Sequence, residues 1–541
     1  MSTTPITDEQ RREVLRSRST PAARTRERDG AGRRNRQRNS GGATSGSKLP
    51  TGRVDRSIRL AGLAGHTAIT RAQTRVHGHA RGDAAQAAEL ARQERLAQRY
   101  VEVLGDMKGA VMKVGQILSF VDIDGVVPAP YRDLFQGTLA QLQNDVPPLA
   151  PEEIADVIRA ELGAGPDEIF AYFSPEPLAA ASVGQVHLAR LTDGTELAVK
   201  VQYPGVSDAV TADLANTKLL ASVIGAGLAL LGPQAPKLDT KVMVEEIRDR
   251  VADELDYTIE AANQQEFGAI YNGHPFIHIP AVYPEFSTSQ VLVTDYVHGV
   301  SWSEAMAAGD AIRSRWGETI FRFVFASLNQ HGLFNADPHP GNYVFHEDGT
   351  VTFLDFGCVK RCTPDRVSAM SALVDAALAG DAPGVLRAFV DVGLLSDADT
   401  EGLDPSRLIE YYRVALRDRL DTQPFTYTPE SVAEIATGIY QPLGPYSDIL
   451  RHLQMPKDLL FLNRIAVGAS SVLAHLYATA DWKSIDAEIR HDRPPATELG
   501  RQELSWRAER EATGSLPFGL AARLSPDQEV PTFVTPVPIL K

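Results

Sequence analysis

The stretch "NADPHPGN", residues 335–342, places an aspartate and an asparagine five positions apart in a segment rich in proline and glycine. Its polarity argues against a strand and its prolines and glycine argue against a helix, so we expect a loop of fixed shape. Asp337 in such a loop is placed to accept a proton from a nucleophile. The side-chain oxygen of Asn342 is a ligand of the kind that Mg²⁺ takes.

The next segment, "YVFHEDGTVTFLDFG" (343–357), has apolar runs on both sides of an Asp-Gly pair, which predicts a β-hairpin. If Asp348 and Gly349 form a two-residue turn, Asn342 lies opposite Asp355, with Cβ atoms about 5 Å apart. An amide oxygen and a carboxylate would then lie side by side, which suits a magnesium ion that also takes substrate phosphates. A base in a rigid loop followed by two such metal ligands is the arrangement of kinase-type phosphoryl transfer.

Phosphoryl transfer of this type also needs a cation for the α- and β-phosphates. Lys200 in "LAVK" ends a predicted strand, which is where kinases have their nucleotide lysine. The strand belongs to "VGQVHLARLTDGTELAVKVQ" (183–202), a second predicted hairpin that turns at Asp193-Gly194. A two-residue turn there puts Lys200 opposite His187.

A carboxylate to hold this lysine is predicted on a helix within residues 239–272, which we expect to be continuous from a cap at Asp239 or Thr240. Its second half carries three acids, Glu254, Asp256 and Glu260. The last two are four residues apart on one helix face, an unfavourable spacing unless cations neutralise them. Lys200 can neutralise one and Lys113 another; a solvated acidic face is the alternative.

Alanines take the place of glycines in the segment that would cover the phosphates. It consists of Ala179, Ala180, Ala181, Ser182, Val183 and Gly184. Because alanine restricts φ, we expect a stiffer loop than a glycine-rich one, with fewer amides presented to the γ-phosphate. The first turn of a helix is the alternative interpretation of this segment.

An amphipathic helix is predicted further upstream, because apolar residues recur at spacings of three and four from Leu104 to Val121. Lys113 and Gln116 lie three residues apart on a different face of it. The segment "PPLAPEEIADVIRAEL" (147–162) then begins another helix, with prolines and paired glutamates in its first turn.

The charge of the chain is divided between a basic arm and an acidic body. Residues 1–60 hold 15 Lys and Arg against 6 Asp and Glu, whereas all 541 residues together have a net charge of -15. The arm is rich in Arg, Gly and Ser without periodicity, so we expect a disordered, solvated tail; contact with an anionic membrane or nucleic acid is the alternative. The acidic body argues against a main surface that binds nucleic acid.

Cysteine content and hydropathy indicate the compartment. The chain has two cysteines, Cys358 and Cys362, which is too few for a disulfide framework, and no secretory signal is visible. The longest uncharged apolar run, residues 219–232, has 14 residues, whereas a helix needs about 20 to span a bilayer. We therefore expect a cytoplasmic protein, with any contact at the inner face of the membrane being peripheral.

Five ordered motifs resemble those of the AarF/UbiB family of atypical protein-kinase-like enzymes, over residues 90–480. They are "KVGQ" (113–116), "PLAAASVGQVH" (177–187), "AVKVQYPGV" (198–206), "ELDYTIEAAN" (254–263), and "ADPHPGN" (336–342) with "DFG" (355–357). The resemblance implies an α+β, two-lobed protein-kinase-like fold with a small, mostly β N-lobe and a helical C-lobe. It also implies an added N-terminal helical segment.

The resemblance divides the chain into five regions. They are a disordered basic tail (1–56), a helical extension carrying KxGQ (57–165), an N-lobe with the alanine-rich loop and the ExD helix (166–299), a C-lobe with the catalytic loop and DFG (300–490), and a C-terminal tail (491–541).

The resemblance also implies a role for each motif residue. Catalytic roles fall to Asp337, Lys200 and Glu260, and metal binding to Asn342 and Asp355. Nucleotide contacts fall to residues 179–184, Lys200, and the hinge residues Asp295 and Val297. Regulatory groups that close the active site are Lys113, Gln116, Glu254 and Asp256. The chain departs from the family pattern at Asn335, where His is common, at Thr294-Asp295, where Met-Glu is usual, and at Gly184, where Ala is common.

The implied activity is that of an atypical kinase or ATPase that uses ATP or ADP with Mg²⁺. Its implied partners are a lipid or an intermediate of isoprenoid-quinone metabolism. Two alternatives stay open, a regulatory pseudokinase that only binds nucleotide and a small-molecule phosphotransferase of the antibiotic type.

Overall fold

The structure, a computed structural model, describes residues 149–181, 183–207, 252–440, 445–450, 452–454 and 457–513. Several sequence-based predictions lie outside these residues. They are the basic arm, the amphipathic helix with Lys113 and Gln116, Ser182, the first part of the acidic helix, and the end of the C-terminal tail.

The described chain has an antiparallel sheet in its N-terminal part, and the part that follows is mostly helical. Its strands are β1 (Tyr172–Phe173), β2 (Ala179–Ala180), β3 (Gly184–Arg190), β4 (Glu196–Gln202), β5 (Ile277–His278), β6 (Val291–Asp295), β7 (Leu333–Asn335), β8 (Tyr343–Phe345), β9 (Val351–Phe353), β10 (Val359–Arg361), β11 (Phe425–Thr426) and β12 (Thr479–Ala480). Its helices are α1 (Pro151–Leu162), α2 (Pro166–Ile169), α3 (Tyr257–Ile270), α4 (Trp302–Ala307), α5 (Asp310–His331), α6 (Pro364–Ala379), α7 (Ala382–Asp391), α8 (Pro405–Ala415), α9 (Arg417–Leu420), α10 (Pro429–Tyr440), α11 (Ser447–Leu450), α12 (Lys457–His475), α13 (Trp482–His491) and α14 (Glu498–Ala512).

The N-terminal sheet has the order β1-β3-β4-β6, with β2 also paired with β3. Helix α1, whose prediction is confirmed, covers one face of this sheet. Its buried Ile154 and Ile158 belong to the same apolar cluster as Val199 and Val201 of β4. Alternate residues of a strand point to opposite faces. Lys200, which lies between these two valines, therefore faces away from α1.

The first predicted hairpin forms, but the expected register is wrong by one residue. Gly194 adopts a left-handed conformation (φ +91°) and the loop has three residues, because the amide of Leu191 donates to the carbonyl of Thr195. Lys200 therefore lies opposite Val186, and His187 lies opposite Val199.

The second hairpin differs from its expected register in the same way. Gly349 is also left-handed (φ +86°), and the amide of His346 donates to the carbonyl of Thr350 across a three-residue loop. The expected pairing of Asn342 with Asp355 is therefore wrong. The amide of Leu354 donates to the carbonyl of Asn342 at 2.8 Å, so Asp355 lies one residue beyond the opposed position.

The acidic segment does not form the unbroken helix that we expected. Residues 252–254 are helical, but the chain is extended at Asp256 (φ −125°, ψ 96°), and α3 begins at Tyr257. The carboxylate of Asp256 accepts hydrogen bonds from the amide and the hydroxyl of Thr258, which makes it the N-cap of α3. The argument that Asp256 and Glu260 share one helix face is therefore wrong.

Helix α5 is the centre of the C-terminal region. Its buried Trp316, Ile320 and Phe321 belong to the main apolar core, together with Phe345 and Phe353 of the second hairpin. In that hairpin β8 pairs with β9, which also pairs in parallel with β5. None of the described helices is both long and apolar enough to cross a bilayer.

Candidate active site

Lys200 and Glu260 form an ion pair between the N-terminal sheet and α3. The Nζ of Lys200 donates to both carboxylate oxygens of Glu260, at 2.9 and 2.8 Å. The Lys200 side chain is 17% exposed and the Glu260 side chain 8% exposed, so water screens this pair only weakly. The structure thus brings together the two residues that the motifs suggested as partners.

The start of α3 is fixed to the sheet by backbone and side-chain hydrogen bonds. The amide of Tyr257 donates to the carbonyl of Ser289 at 3.0 Å. The side-chain amide of Gln202, at the end of β4, donates to the carbonyls of Leu255 and Ser289. These bonds hold the first turn of α3, and with it Glu260, beside the strand that carries Lys200.

Asp337 and Asn342 lie in a loop held by short-range hydrogen bonds. The side-chain Nδ2 of Asn342 donates to the carbonyl of Asp337 at 3.1 Å and to its carboxylate at 3.3 Å. The ring Nδ1 of His339 accepts from the amide of Gly341, in a single helical turn that ends at Asn342. Because Nδ2 of Asn342 is bound to Asp337, its Oδ1 atom is left to contact a cation.

Asp355 is held close to this loop by Asn335, which sequence reasoning noted only as a departure from a family pattern. The Nδ2 of Asn335 donates to the carbonyl of Asp355 at 2.8 Å, and its Oδ1 accepts from the amide of Asp337 at 3.1 Å. One side-chain amide therefore connects the loop and Asp355. The pairing of β7 with β10 places Asn335 there, and no local pattern indicates it.

Asp355 and Glu260 face the same small space. A Cβ added to Gly357 would lie 3.2 Å from Oδ1 of Asp355 and 3.5 Å from Oε2 of Glu260. A Cβ here would be in tight contact with the Asp355 carboxylate and in ordinary van der Waals contact with Glu260, so a glycine suits this position. The amide of Gly357 also donates to Oδ1 of Asp355 at 3.1 Å.

In the described part of the site, the carboxylates of Glu260 and Asp355 both lie near the ammonium of Lys200. Burial and the charge of Asp355 raise the pKa of Glu260 to about 7, although Lys200 opposes this shift. Burial would lower the pKa of Lys200, but Glu260 and Asp355 together raise it well above its usual value. The carboxylate of Asp355 contributes to both shifts, but burial is the largest cause for Glu260 and the charge of Glu260 is the largest raising cause for Lys200.

The donor set suits a hard divalent cation. Asn342 and Asp355 offer an amide oxygen and a carboxylate, and Mg²⁺ prefers such oxygen ligands and completes its shell with water and phosphates. In the described residues, no group of three or more His, Cys, Asp or Glu forms a metal site by itself.

Phe356 of the "DFG" motif and Asn263 of the "ELDYTIEAAN" motif join α3 to the loop that carries Asp355. Phe356 is fully buried and its ring lies 4.9 Å from that of Phe267. The side chain of Asn263 donates to the carbonyl of Phe356 at 3.0 Å. Asn263 follows Glu260 by three residues on the same face of α3, a spacing that could have indicated this role.

Comparison with known proteins gives the family of this fold. Residues 141–389 match the family model described as the ABC1 atypical kinase-like domain. This part of the chain is similar to an ABC1 atypical kinase-like domain. The resemblance to AarF/UbiB proteins and the expected α+β, kinase-like fold are both confirmed.

Three proteins illustrate the extent of the similarity. An aarF domain-containing protein kinase of Arabidopsis thaliana is 30% identical over 415 residues, covering 75% of this chain and 55% of the relative. The atypical kinase COQ8 of Saccharomyces cerevisiae is 25% identical over 438 residues, covering 80% of this chain and 85% of the relative. The structure of Rv3197 from Mycobacterium tuberculosis with erythromycin is 27% identical, with a TM-score of 0.53, and covers 76% of this chain and all of that one. The chain spans about half the length of the plant and cyanobacterial relatives it matches.

The alanine segment of the ABC1 domain is a strand and a tight turn. Ala179 and Ala180 pair with Val186 and Gln185, so the alternative of a helical first turn is wrong. The amide of Ala181 donates to the carbonyl of Gly184 at 2.8 Å, which closes the turn. The segment therefore forms a short hairpin with the first residues of β3.

Asp295, one of the two expected hinge residues, has both carboxylate oxygens bound by neighbouring residues. The carboxylate of Asp295 accepts from the hydroxyl of Tyr283 at 2.8 Å and from the amide of Ala281 at 2.9 Å. Its oxygens are thus already bound within the sheet. Val297 follows two residues later, half-buried, beyond the last strand of the sheet.

Of the four expected regulatory residues, the structure describes Glu254 and Asp256. Asp256 caps α3, and Glu254 lies half-buried in the helical turn before this cap. Because Lys113 and Gln116 lie outside the described residues, their expected contact with these acids stays a prediction.

The far end of α3 is held by α14, a helix beyond the matched residues of the ABC1 domain. The guanidinium of Arg510 donates to the carbonyls of Ile270 and Ala269, at 2.6 and 3.1 Å. The indole of Trp506 donates to the carbonyl of Asn272 at 3.2 Å. The composition of this segment predicts a polar helix but gives no sign of its partner.

Proposed function

We propose that this chain is a Mg²⁺-dependent, ATP-binding atypical kinase or ATPase of the AarF/UbiB type. The observation that carries the proposal is the buried ion pair between Lys200 and Glu260, at 2.8 Å, beside the carboxylate of Asp355. In protein kinases this ion pair and the DFG aspartate must both be in place for phosphoryl transfer. The ABC1 domain match supports the same class of chemistry.

Each residue of the site has a proposed role. Lys200 binds the α- and β-phosphates, and Glu260 keeps its ammonium directed toward them. Asn342 and Asp355 hold Mg²⁺, which would neutralise charge on the phosphate oxygens. Asp337 accepts the proton of the attacking hydroxyl or water, and its hydrogen bond with Asn342 keeps this base beside the metal ligands.

Titration calorimetry with Mg²⁺ and adenine nucleotides, together with phosphate release, tests the proposal. We expect the wild type to bind and turn over ATP, and Asp355→Asn to lower turnover by at least about 100-fold because the metal carboxylate is lost. Asp391→Asn, at an exposed position at the end of α7, is the matched control and should behave as the wild type. Binding with equal, negligible turnover in wild type and Asp355→Asn would instead favour a regulatory pseudokinase.

The acceptor is proposed from the family resemblance, which implies a role in isoprenoid-quinone or lipid metabolism, at or near the inner face of the membrane. A deletion strain should then accumulate one lipid or quinone-pathway intermediate. Expression of the Asp355→Asn variant in the deletion strain should not prevent this accumulation, whereas expression of the wild-type chain should. An unchanged metabolite profile in both strains would contradict this part of the proposal.

A second candidate function is a small-molecule phosphotransferase of the antibiotic type. It is favoured by the structural similarity to Rv3197, which was determined with erythromycin and is covered over its whole length. Incubation with ATP, Mg²⁺ and erythromycin, followed by mass spectrometry, tests it. A phosphorylated macrolide would favour this function, whereas an unmodified macrolide would favour the first.

A further inference from the structure

Tyr257, the first residue of α3, buries a hydroxyl group that has no partner in the described part of the chain. The residue is 2% exposed, and none of the described residues forms a hydrogen bond with its Oη atom. Leaving a buried hydroxyl unsatisfied is costly, and most buried polar side-chain atoms in proteins are paired. The position of this hydroxyl therefore needs a physical explanation.

The hydroxyl points to the base of the alanine hairpin. A Cβ added to Gly184 would lie 2.9 Å from Oη of Tyr257. Gly184 ends the turn that begins at Ala181 and starts β3. The same aromatic ring lies below Lys200, with Nζ 4.9 Å from the ring centroid. Tyr257 thus lies between the loop that would cover the phosphates and the lysine that would bind them.

Gly184, a departure from the family pattern, makes this approach sterically allowed. An added Cβ would also lie 2.2 Å from the carbonyl oxygen of Val201, which belongs to the backbone and cannot move aside. The missing side chain therefore leaves room for both the paired strand and the tyrosine hydroxyl. A side chain at this position would push the hydroxyl away from the base of the hairpin.

The hydroxyl remains a neutral donor at physiological pH. Burial is the main cause that raises the pKa of Tyr257 above its usual value, so the proton stays on the oxygen. A neutral donor brings no charge of its own, and phosphate oxygens are strong acceptors. The nearby carboxylates of Glu260 and Asp355 are bound to Lys200 and to the amide of Gly357.

We propose that the Tyr257 hydroxyl donates a hydrogen bond to a phosphate oxygen of a nucleotide bound between the alanine hairpin and Lys200. Tyr257 would then be a nucleotide-binding residue that also supports Lys200 through its ring. This inference rests on the nucleotide site proposed above. It explains both the unpaired hydroxyl and the glycine beside it.

Tyr257→Phe removes one oxygen atom and keeps the ring under Lys200. We expect the affinity for Mg²⁺-ADP and Mg²⁺-ATP, measured by titration calorimetry, to fall about tenfold. We expect the thermal midpoint of the nucleotide-free protein to stay the same or rise, because no described group loses a partner.

Tyr271→Phe is the matched control. Tyr271 is also buried, at the other end of α3, but its hydroxyl forms a 2.6 Å hydrogen bond with Ser327. This variant should lower the thermal midpoint and leave the nucleotide affinity unchanged. The opposite pattern in the two tyrosine variants is the signature of the proposed role.

Two results would overturn the inference for Tyr257 alone. One is a Tyr257→Phe variant that binds nucleotide as tightly as the wild type. The other is a thermal midpoint of the nucleotide-free Tyr257→Phe protein that falls as far as that of Tyr271→Phe, which would indicate a protein partner for the hydroxyl. A wild type that binds no nucleotide would instead overturn the proposed function, and this inference with it.

Discussion

Asp355 is held in the left-handed region of backbone conformation, with φ +56°, although it carries a side chain. Asn335 donates to its carbonyl and the amide of Gly357 donates to its carboxylate, at 2.8 and 3.1 Å. Such strain persists where the surroundings enforce it, and it is concentrated at functional sites. Here the left-handed backbone of Asp355 directs its carboxylate toward Glu260. A continued strand conformation would direct it elsewhere.

A pair of variants measures this strain. Asp355→Gly should be more stable to urea than Asp355→Ala by about 1 kcal/mol, because glycine adopts the left-handed conformation without the steric cost of a Cβ. Both variants lack the carboxylate, so its loss cancels in the comparison, and both should lose Mg²⁺-nucleotide binding. Equal free energies of unfolding would show that the backbone at this position relaxes.

His274 illustrates how burial of a single ring makes the fold sensitive to acid. The residue is 3% exposed, and its Nδ1 accepts from the amide of Ile277 at 3.1 Å. Its ring centroid lies 4.4 Å from that of Trp506 in α14. Burial is the main cause that lowers the pKa of His274 from 6.5 to about 3.

The unfolded chain therefore takes up a proton on His274 below pH 6.5, while the folded chain does so only near pH 3. The stability linked to His274 is fully present above pH 6.5 and is lost as the pH falls, by about 2 kcal/mol at pH 5. Urea unfolding at pH 8 and pH 5 should show this loss. His274→Asn, which keeps an acceptor for Ile277, should show a loss smaller by about 2 kcal/mol; an unchanged pH dependence would contradict the assignment.

At the scale of elements, α3 is held at both ends. Its start is bonded to the N-terminal sheet through Tyr257 and Gln202, and its last carbonyls accept from Arg510 of α14. Helix α14 is itself joined to the central α5, because Glu503 forms an ion pair with Arg322 at 3.0 Å. The position of Glu260 thus depends on a helix about 240 residues further along the chain.

Arg510→Ala should release the end of α3. We expect a loss of about 1–3 kcal/mol in unfolding free energy, because two or more carbonyls lose a charged donor. Turnover of ATP should fall as Glu260 becomes less well positioned, and Arg510→Lys should restore part of both. Urea unfolding and phosphate release measure the two effects.

Arg501→Ala is the control for this prediction. Arg501 is exposed on the same helix and, among the described residues, forms an ion pair with Glu498 within α14. Such a pair contributes little to stability, so the variant should match the wild type in both measurements. If Arg510→Ala and Arg501→Ala behave alike, α14 does not position α3.

At the scale of the whole molecule, one buried guanidinium joins three helices. Arg322 of α5 is 1% exposed and donates to Glu318, Glu488, Glu503 and Thr497. These acceptors belong to α5, to α13, and to α14 with its N-cap. Although burial opposes it, hydrogen bonding to Glu488 and the nearby charges raise the pKa of Arg322.

Arg322→Ala should destabilise the protein by about 3–5 kcal/mol, because the largely buried carboxylates of Glu318 and Glu488 lose the guanidinium that binds them, whereas Glu503 keeps its ion pair with Arg507. Thermal and urea unfolding measure this effect. Arg417→Ala is the control, since Arg417 forms ion pairs with Asp421 and Glu434 at a partly exposed position and should change stability by less than about 1 kcal/mol. Similar losses in both variants would contradict a central role for Arg322.

The local pattern of residues was enough to predict several elements of this protein and its fold class. The prolines and paired glutamates that begin α1 and the Asp-Gly turns of both hairpins are local signals, so α1 and the hairpins could be predicted. The types and order of the motif residues also indicated an α+β, kinase-like fold, which the family match confirms. These features are local, or are carried by residue types that tolerate few substitutes.

The tertiary structure alone decided the rest. Each hairpin is shifted by one residue because its loop has three residues and only the glycine is left-handed, whereas a two-residue type I′ turn would need the preceding aspartate to be left-handed as well. The helix break at Asp256, the bridge through Asn335, and the support of α3 by Arg510 also escaped prediction. The last two join residues far apart in sequence, and their free energy is available only when the whole chain is folded. Periodicity and spacing depend on near neighbours in sequence, so they do not predict contacts between residues that are far apart in sequence.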